Sequence, residues 1–303
     1  MTAFRFSLND FTLSLLSVLF EGLPFLVFGT LISGVIDAFV PSGWFRRAMP
    51  RSRFLSVAIS GLFGLIFPLC ECGIVPVMRR LIRKGVPPAC AVTYMLAAPI
   101  VNPITLLSTL AAFQGQGPWW MASMRLGLGY AVAVGVGLLV LRLRPEAFLR
   151  DAAADVPADD AAAEGDRPLA SRLAQALRCS AADFLDVAAF LVMGAAIAGV
   201  FNTAVNREII APLASSTPLA VASLMVGAVV LSLCSTSDAF IAATLTQFPF
   251  SAKLAFLIFG PVFDLKLAFM YNAVFKTWFV ALLALGSGAA IFWVCVNISL
   301  QPF

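Results

Sequence analysis

Two short polar runs, set in apolar surroundings about half the sequence apart, carry the side chains best suited to chemistry. The first contains Cys70, Glu71 and Cys72, and the second spans Cys234 to Asp238. In an extended stretch, Cys70 and Cys72 lie on one side and Glu71 on the other. Two neighbouring thiols suit a soft, thiol-seeking solute such as Cu(I) or trivalent arsenic. The alternative is that each cysteine is only a small buried hydrophobe.

The second run replaces one thiol with hydroxyl groups. Ser235 and Thr236 can satisfy freed backbone groups or donate hydrogen bonds to an anion, and a helix beginning near Asp238 would direct its positive end at the same place. Capping of that helix by Ser237 or Asp238 explains the same residues. We predict that Cys234, Ser235, Thr236 and Asp238 contribute polar contacts to a substrate site.

Proline and glycine interrupt the apolar segments that hold these runs. Pro68 lacks a backbone N–H and Gly73 tolerates left-handed dihedral angles, so a helix should end near Phe67 and another should begin near Ile74. In a membrane interior such breaks persist only where protein or a wet cavity surrounds them. The predicted structural breaks are Pro68, Gly73, Pro76, Pro99, Pro103, Gly260 and Pro261.

Composition places the chain in a lipid bilayer. Of its 303 residues, 61% are hydrophobic and only 12% are charged, about half the charged fraction of a soluble domain. Eight segments approach or exceed the roughly 20 apolar residues that cross a bilayer. They are 11–40, 54–78, 88–113, 119–141, 179–201, 218–245, 252–275 and 277–296.

The residue inventory excludes several classes of site. Of the six cysteines only Cys70 and Cys72 are close in sequence, which is not a disulfide framework, and histidine is absent. Proton coupling would therefore rely on Asp and Glu. We expect no cofactor, no resident metal and no nucleic-acid partner, because the basic clusters flank apolar segments and report membrane orientation. The expected partners are the lipid bilayer and a small-molecule substrate, and a homo-oligomer is left open.

Two other classes of protein compete with a transporter. In a channel the two polar breaks would form a filter, although carboxylates paired with thiols argue against it. In an intramembrane enzyme Cys70 would be a nucleophile, but the chain has no histidine to act as its base. We therefore predict that the protein is not an enzyme. No phosphate-cradling Gly-rich loop is present in the sequence, so ATP drive would need a partner protein.

One polar stretch divides the chain. We predict a first transmembrane repeat over 1–141, a cytoplasmic linker rich in Ala, Asp and Pro over 142–178, and a second transmembrane repeat over 179–303. The acidic centre of the linker, Asp151 to Asp166, has the composition of a disordered connector. Its last part, Leu169 to Arg178, is compatible with a short amphipathic helix on the membrane surface.

The two halves resemble each other. The run from Glu21 to Gly29 aligns with the run from Asp186 to Gly194, and the two polar runs then align in the same order. Repeated halves with interrupted segments at matching positions are typical of secondary transporters whose site lies near the midplane. If the segments with the polar runs re-enter as hairpins, the clusters at Arg46 and Arg79 share one side. The positive-inside rule favours that arrangement, in which the halves are inverted.

Further charges lie within the apolar segments and should pair or face a cavity. Glu21 aligns with Asp186, and Asn102 aligns with Asp264. We predict that Asn102 and Asp264 contribute to the substrate site and that Glu71, Glu21, Asp186 and Lys266 are candidates for coupling. Lys266 could neutralise Asp264 or Asp238. Arg125 lies early in its segment, and we expect it to reach the membrane interface.

The motifs together resemble the predicted-permease family of the YraQ and ArsP type. They are the run from Phe67 to Pro76, the run from Ala97 to Pro103, the run from Leu233 to Ala239, and the run from Phe259 to Lys266. The resemblance covers nearly the whole chain outside the linker. It implies an inner-membrane permease, and the ArsP members imply export of trivalent organoarsenicals such as methylarsenite. The family's first motif usually has a small residue where this chain has Glu71.

We therefore predict an all-α polytopic integral membrane protein of two homologous halves, with discontinuous or re-entrant helices at the midplane. Its predicted function is that of a secondary transporter exporting a small thiol-reactive solute, with trivalent organoarsenicals as the first candidate. The alternative is a permease or channel for another small ion or metal such as Cu(I). A bacterial inner-membrane location follows from the resemblance.

Overall fold

The computed structural model describes residues 8–41, 49–50, 52–150, 168–204 and 216–298. The first half contains α1 (Leu8–Phe39), α2 (Arg53–Gly61) with a 3-10 turn (Leu62–Leu65), α3 (Glu71–Arg83), α4 (Pro88–Ala97), α5 (Pro103–Ala112), α6 (Pro118–Val140) and the short α7 (Pro145–Phe148). The second half contains α8 (Leu169–Ala204), α9 (Thr217–Leu231), α10 (Ser237–Thr244), α11 (Phe250–Val262), α12 (Leu265–Asn272) and α13 (Thr277–Ile298). The prediction of an all-α polytopic protein is confirmed.

Both halves have the same order of elements. A long helix comes first, two broken segments follow, and a second long helix comes last, α7 aside. In the first half the broken segments are α2–α3 and α4–α5, and in the second half they are α9–α10 and α11–α12. This order is what a repeat requires. Homology of the halves, their inversion and the re-entrant hairpins stay predictions.

Five segments within the described residues are long and apolar enough to cross a membrane. They are Phe11–Phe39, Pro118–Val140, Leu169–Val200, Phe250–Asn272 and Thr277–Ile298. The half-helices are shorter: α3 has 13 residues, which is about 20 Å at 1.5 Å per residue, against a hydrocarbon core of about 30 Å. The ends of such half-helices lie where unpaired backbone groups must be satisfied by protein.

At four of the predicted helix breaks the structure has a continuous helix. Gly73 and Pro76 lie inside α3, which begins at Glu71, and Gly260 and Pro261 lie inside α11, which ends at Val262. Pro68 does lie in the non-helical stretch before α3. Likewise Pro99 lies in the turn between α4 and α5, and Pro103 is the first residue of α5. Pro103 fits there because the first N–H groups of a helix have no partner within it.

Gly73 is needed for close helix packing rather than for a turn. A Cβ atom added at Gly73 would lie 2.7 Å from the carbonyl oxygen of Phe25, and one added at Gly29 would lie 2.3 Å from the carbonyl oxygen of Gly73. The backbones of α1 and α3 therefore cross with no room for a side chain, as small residues permit in membrane proteins.

This crossing gives a prediction. Replacing Gly29 with valine should force α1 away from α3 and lower the yield of folded protein severalfold in fluorescence-detected size-exclusion chromatography, because backbone atoms cannot yield to the new methyl groups. The matched control is Gly135→Val in α6, where nothing lies within 4 Å of the added Cβ. Equal yields of the two variants would contradict the close crossing.

The second half begins with a helix longer than predicted. Leu169 to Arg178 is the first part of α8 and continues without interruption into its apolar part, because no glycine or proline occurs before Gly194. The separate surface helix expected there was wrong. The acidic stretch Asp151 to Asp166 and the basic cluster at Arg46 lie outside the described residues.

The two halves interlock. α1 packs along α8, α3 contacts α12, and α5 contacts α10. The two helices that follow the first break of each half, α3 and α10, therefore both contact the opposite half. This arrangement brings the first polar run against the start of α12, and the second polar run against α5 and α6.

Candidate functional site

A small cavity lies where α1, the start of α3, the break before α10 and α12 meet. It has room for about one water molecule. Six of the predicted residues line it together with Val18, Gly22 and Ser232; the six are Glu21, Cys70, Glu71, Cys72, Cys234 and Lys266. Three thiols, two carboxylates and one ammonium group therefore share one space between the halves.

The start of α3 presents the first polar run to this cavity. Cys70 is the extended residue immediately before the helix, with φ −77° and ψ 169°, and Glu71 and Cys72 belong to the first turn. The side chains of Cys70 and Cys72 both line the cavity. The prediction that Glu71 points away from the two thiols was wrong, because the helix begins at Glu71 and no extended stretch reaches Cys72.

Lys266 is the charged centre of the site. Its Nζ lies 3.1 Å from Oε1 of Glu71 and 3.4 Å from Oδ2 of Asp264. It also donates to the carbonyl oxygens of Ser232 at 3.1 Å and Leu233 at 3.2 Å. Lys266 thus pairs with Asp264, one of its two predicted partners, and with Glu71, which sequence analysis did not pair with it.

The second break contributes Cys234 to the cavity, and two of its hydroxyl groups have side-chain partners. Oγ1 of Thr236 lies 3.6 Å from the sulfur of Cys234, and the hydroxyl of Ser237 donates to Oε1 of Glu21. The carbonyl oxygen of Ser235 accepts from Arg125 at 2.8 Å. Ser235 and Thr236 do not line the cavity, although both adjoin Cys234.

Asp238 forms a separate buried ion pair. Both of its carboxylate oxygens accept from Nη2 of Arg125, at 3.0 and 2.8 Å, and Nη1 of Arg125 donates to Thr109 at 2.9 Å. Arg125 is only 2% exposed, so the expectation that it reaches the interface was wrong. The rule that a charge within an apolar segment needs a partner was the signal for this pair.

Asn102 and Asp264 occupy equivalent positions at the starts of α5 and α12. The side chain of Asn102 accepts from the N–H of Ile104 at 2.9 Å, and that of Asp264 accepts from the N–H of Leu267 at 2.7 Å. Both are helix caps. Asp264 also lies 3.4 Å from the ammonium group of Lys266, whereas Asn102 does not line the cavity.

Asp186 lies outside the cavity. Its carboxylate is 59% exposed and lies 3.2 Å from Nη1 of Arg79. A buried network lies nearby: Arg80 contacts Asp183 through two nitrogens, at 3.0 and 3.1 Å, and Asp37 through a third, at 3.1 Å. Sequence analysis did not connect these residues, which come from α1, α3 and α8.

The thiols and carboxylates of the cavity do not form a ready-made metal site. Among the residues that the structure describes, no group of three or more His, Cys, Asp and Glu side chains is arranged to hold a metal ion. Cys70 and Cys72, which both line the cavity, are instead suited to a solute that takes two sulfur ligands.

Comparisons with known proteins support the family that the sequence motifs suggest. The family model ArsP_1, described as a predicted permease, matches residues 7–299. The UPF0718 protein YcgR of Bacillus subtilis (strain 168) is 38% identical over 270 residues, covering 88% of this chain and 90% of the relative. A protein of Streptococcus mutans named "putative two-component membrane permease complex subunit" is 30% identical over 266 residues, covering 88% and 87%.

A shorter match links the chain to a third relative. The UPF0718 protein YraQ of Escherichia coli (strain K12) is 29% identical over 115 residues, covering 38% of this chain and 32% of the relative. No solved structure matches the chain.

Proposed function

Because the chain belongs to the ArsP_1 family of predicted permeases, we propose that it is a secondary transporter that exports a small thiol-reactive solute. Trivalent organoarsenicals such as methylarsenite are the first candidate substrates. We place it in the bacterial inner membrane, with the linker 142–178 on the cytoplasmic side. Solute would pass between the two halves, through the cavity that the polar runs line.

The observation that carries this proposal is the convergence of three buried thiols on one cavity. Cys70 and Cys72 come from the first half, and Cys234 comes from the second. Methylarsenite, CH3As(OH)2, reacts with two thiols to give CH3As(SR)2 and two water molecules, so binding consumes and releases no net proton. Exchange of arsenic between sulfur atoms of the two halves would then move the solute without exposing it to lipid.

A second candidate is a soft cation such as Cu(I). Glu71 lies in the cavity beside the thiols, it is 1% exposed, and its Oε2 atom has no hydrogen-bond partner. A buried carboxylate oxygen without a partner favours a positively charged ligand. Cu(I) binding to two thiols would release two protons, which distinguishes it from methylarsenite.

The cavity also supports a narrower choice of coupling residues. Glu21 and Glu71 face the cavity with Lys266, whereas Asp186 lies at an exposed position and pairs with Arg79. We therefore propose that any proton coupling uses Glu21 or Glu71.

The test is uptake into everted membrane vesicles of methylarsenite, inorganic arsenite and Cu(I), each with and without a proton gradient. We expect methylarsenite to accumulate to a level at least tenfold above that in vesicles that lack the protein. Of the three solutes, methylarsenite alone combines two positions for sulfur ligands with one apolar group. Accumulation of Cu(I) alone would favour the second candidate. Absence of uptake for all three would reject the thiol-reactive substrate.

The Streptococcus mutans relative is named as a subunit of a two-component complex, and we propose that the assay be repeated in vesicles from the native host. Uptake in native vesicles and none in a heterologous host would indicate that this chain needs a second subunit. Equal uptake in both would indicate that it acts without one.

A further inference from the structure

The ammonium group of Lys266 occupies a cage built entirely of oxygen atoms. Two are carboxylate oxygens, from Glu71 at 3.1 Å and Asp264 at 3.4 Å, and two are the main-chain carbonyl oxygens of Ser232 and Leu233 at 3.1 and 3.2 Å. Lys266 is 3% exposed, Glu71 is 1% exposed and Asp264 is fully buried. Carboxylate and carbonyl oxygens are the ligands that hard cations prefer.

The cage is held in place by backbone structure. Helix α9 ends at Leu231, and the next residue, Ser232, has φ 47° and ψ 47°, the one positive φ outside glycine among the residues that the structure describes. A serine is held in this unfavourable region only where its surroundings fix it. The unwound backbone then directs two carbonyl oxygens at Lys266. Asp264 is fixed in turn by capping α12.

The charges of the cage call for a cation. Glu71 and Asp264 each place a carboxylate oxygen within about 3.4 Å of one ammonium group, and removal of that group would leave both carboxylates without it. Oε2 of Glu71 is buried and has no hydrogen-bond partner. Unwound carbonyls at the end of a half-helix, joined by carboxylates, are the arrangement that coordinates Na⁺ in broken-helix transporters.

We propose that this cage is a Na⁺-type monovalent-cation site that the protein's own Lys266 ammonium group fills. The wild-type protein therefore needs no Na⁺ at this position, and removal of the ammonium group opens the site to the ion. The inference goes beyond the proposed function, because it depends on the cage alone and not on the exported solute.

The test measures ion binding through thermal stability. Lys266→Ala is purified in detergent, and its Tm is measured in NaCl and in choline chloride at equal ionic strength, with LiCl and KCl as a size series. A ligand that binds only the folded state raises Tm in a saturable way. We expect Na⁺ to raise the Tm of Lys266→Ala by about 4 °C or more, and to leave the wild-type Tm unchanged.

The matched control is Lys253→Ala. Lys253 is also a buried lysine, but its Nζ donates to the amide oxygen of Gln116 at 3.2 Å and lies over the ring of Phe113. No Na⁺ response is expected from that variant. A folded Lys266→Ala with no Na⁺ response, or an equal response in the wild type, would overturn the proposal.

A second variant covers the case in which Lys266→Ala cannot be recovered in either salt. Lys266→Ala combined with Glu71→Gln keeps the carboxylate of Asp264 and the main-chain carbonyl oxygens of Ser232 and Leu233. It replaces the carboxylate at position 71 with an amide, so the cage holds one carboxylate in place of two. We expect a smaller but saturable rise in Tm with Na⁺. No rise in this variant would equally overturn the proposal.

Discussion

Replacing both Cys70 and Cys72 with serine is expected to reduce methylarsenite uptake into everted vesicles to background, a loss of at least tenfold. The two thiols line the cavity between the halves. Serine keeps their size and hydrogen bonding but removes the soft sulfur ligands that trivalent arsenic prefers. The measurement is uptake normalised to protein in the membrane, because the proposal requires that expression and folding be unchanged.

The matched control is Cys90→Ser combined with Cys295→Ser. Both residues are buried, Cys90 in α4 and Cys295 in α13, and neither lines the cavity. This variant loses the same number of thiols and should retain wild-type uptake. If the Cys70 and Cys72 variant also retains wild-type uptake, the thiols are not part of the transport mechanism. An equal loss in both double variants would assign the effect to general destabilisation.

The largest effect on stability is expected from Arg125→Ala. The guanidinium group is buried, and it donates to Asp238, to Thr109 and to the carbonyl oxygen of Ser235. Removing it leaves the buried Asp238 carboxyl group without its partner, and breaking a buried ion pair in this way costs about 3–5 kcal/mol. The measurement is the Tm of the purified protein in detergent, with folded yield from size-exclusion chromatography.

The informative control removes both charges. Arg125→Met combined with Asp238→Asn leaves no isolated charge and should recover most of the Tm lost in Arg125→Ala, because uncompensated charge dominates the cost. A double variant as unstable as Arg125→Ala would contradict this account and assign the loss to packing around Ser235.

Within the described part of the chain, three buried ion-pair clusters join the halves. Lys266 with Glu71, Arg125 with Asp238, and Arg80 with Asp183 each pair a residue before the linker with one after it. Separating a buried ion pair without giving each charge a new partner is strongly unfavourable. The interface between the halves is therefore fixed by charge as well as by the close packing of α1 along α8. If one half moves against the other, these ion pairs must either stay intact or exchange partners.

The sequence by itself determined the class of protein, the family and several of the helix breaks. Long apolar runs identify membrane helices directly, since a bilayer of fixed thickness demands about 20 such residues. The non-helical stretches around Pro68 and Pro99 follow from local backbone chemistry, as does the start of a helix next to Asp238, observed at Ser237. The motifs also identified the family, which a match over residues 7–299 confirms.

Only the tertiary structure decided which side chains meet. Glu71 and Lys266 are 195 residues apart, and Arg125 and Asp238 are 113 apart, so no local pattern pairs them. Gly73 was predicted to break a helix, yet it lies inside α3. Its missing side chain instead allows the backbone of α1 to pass close to it. The physical reason is that sequence fixes which groups must be paired or closely packed, whereas the partner depends on how the helices of the two halves are arranged in space.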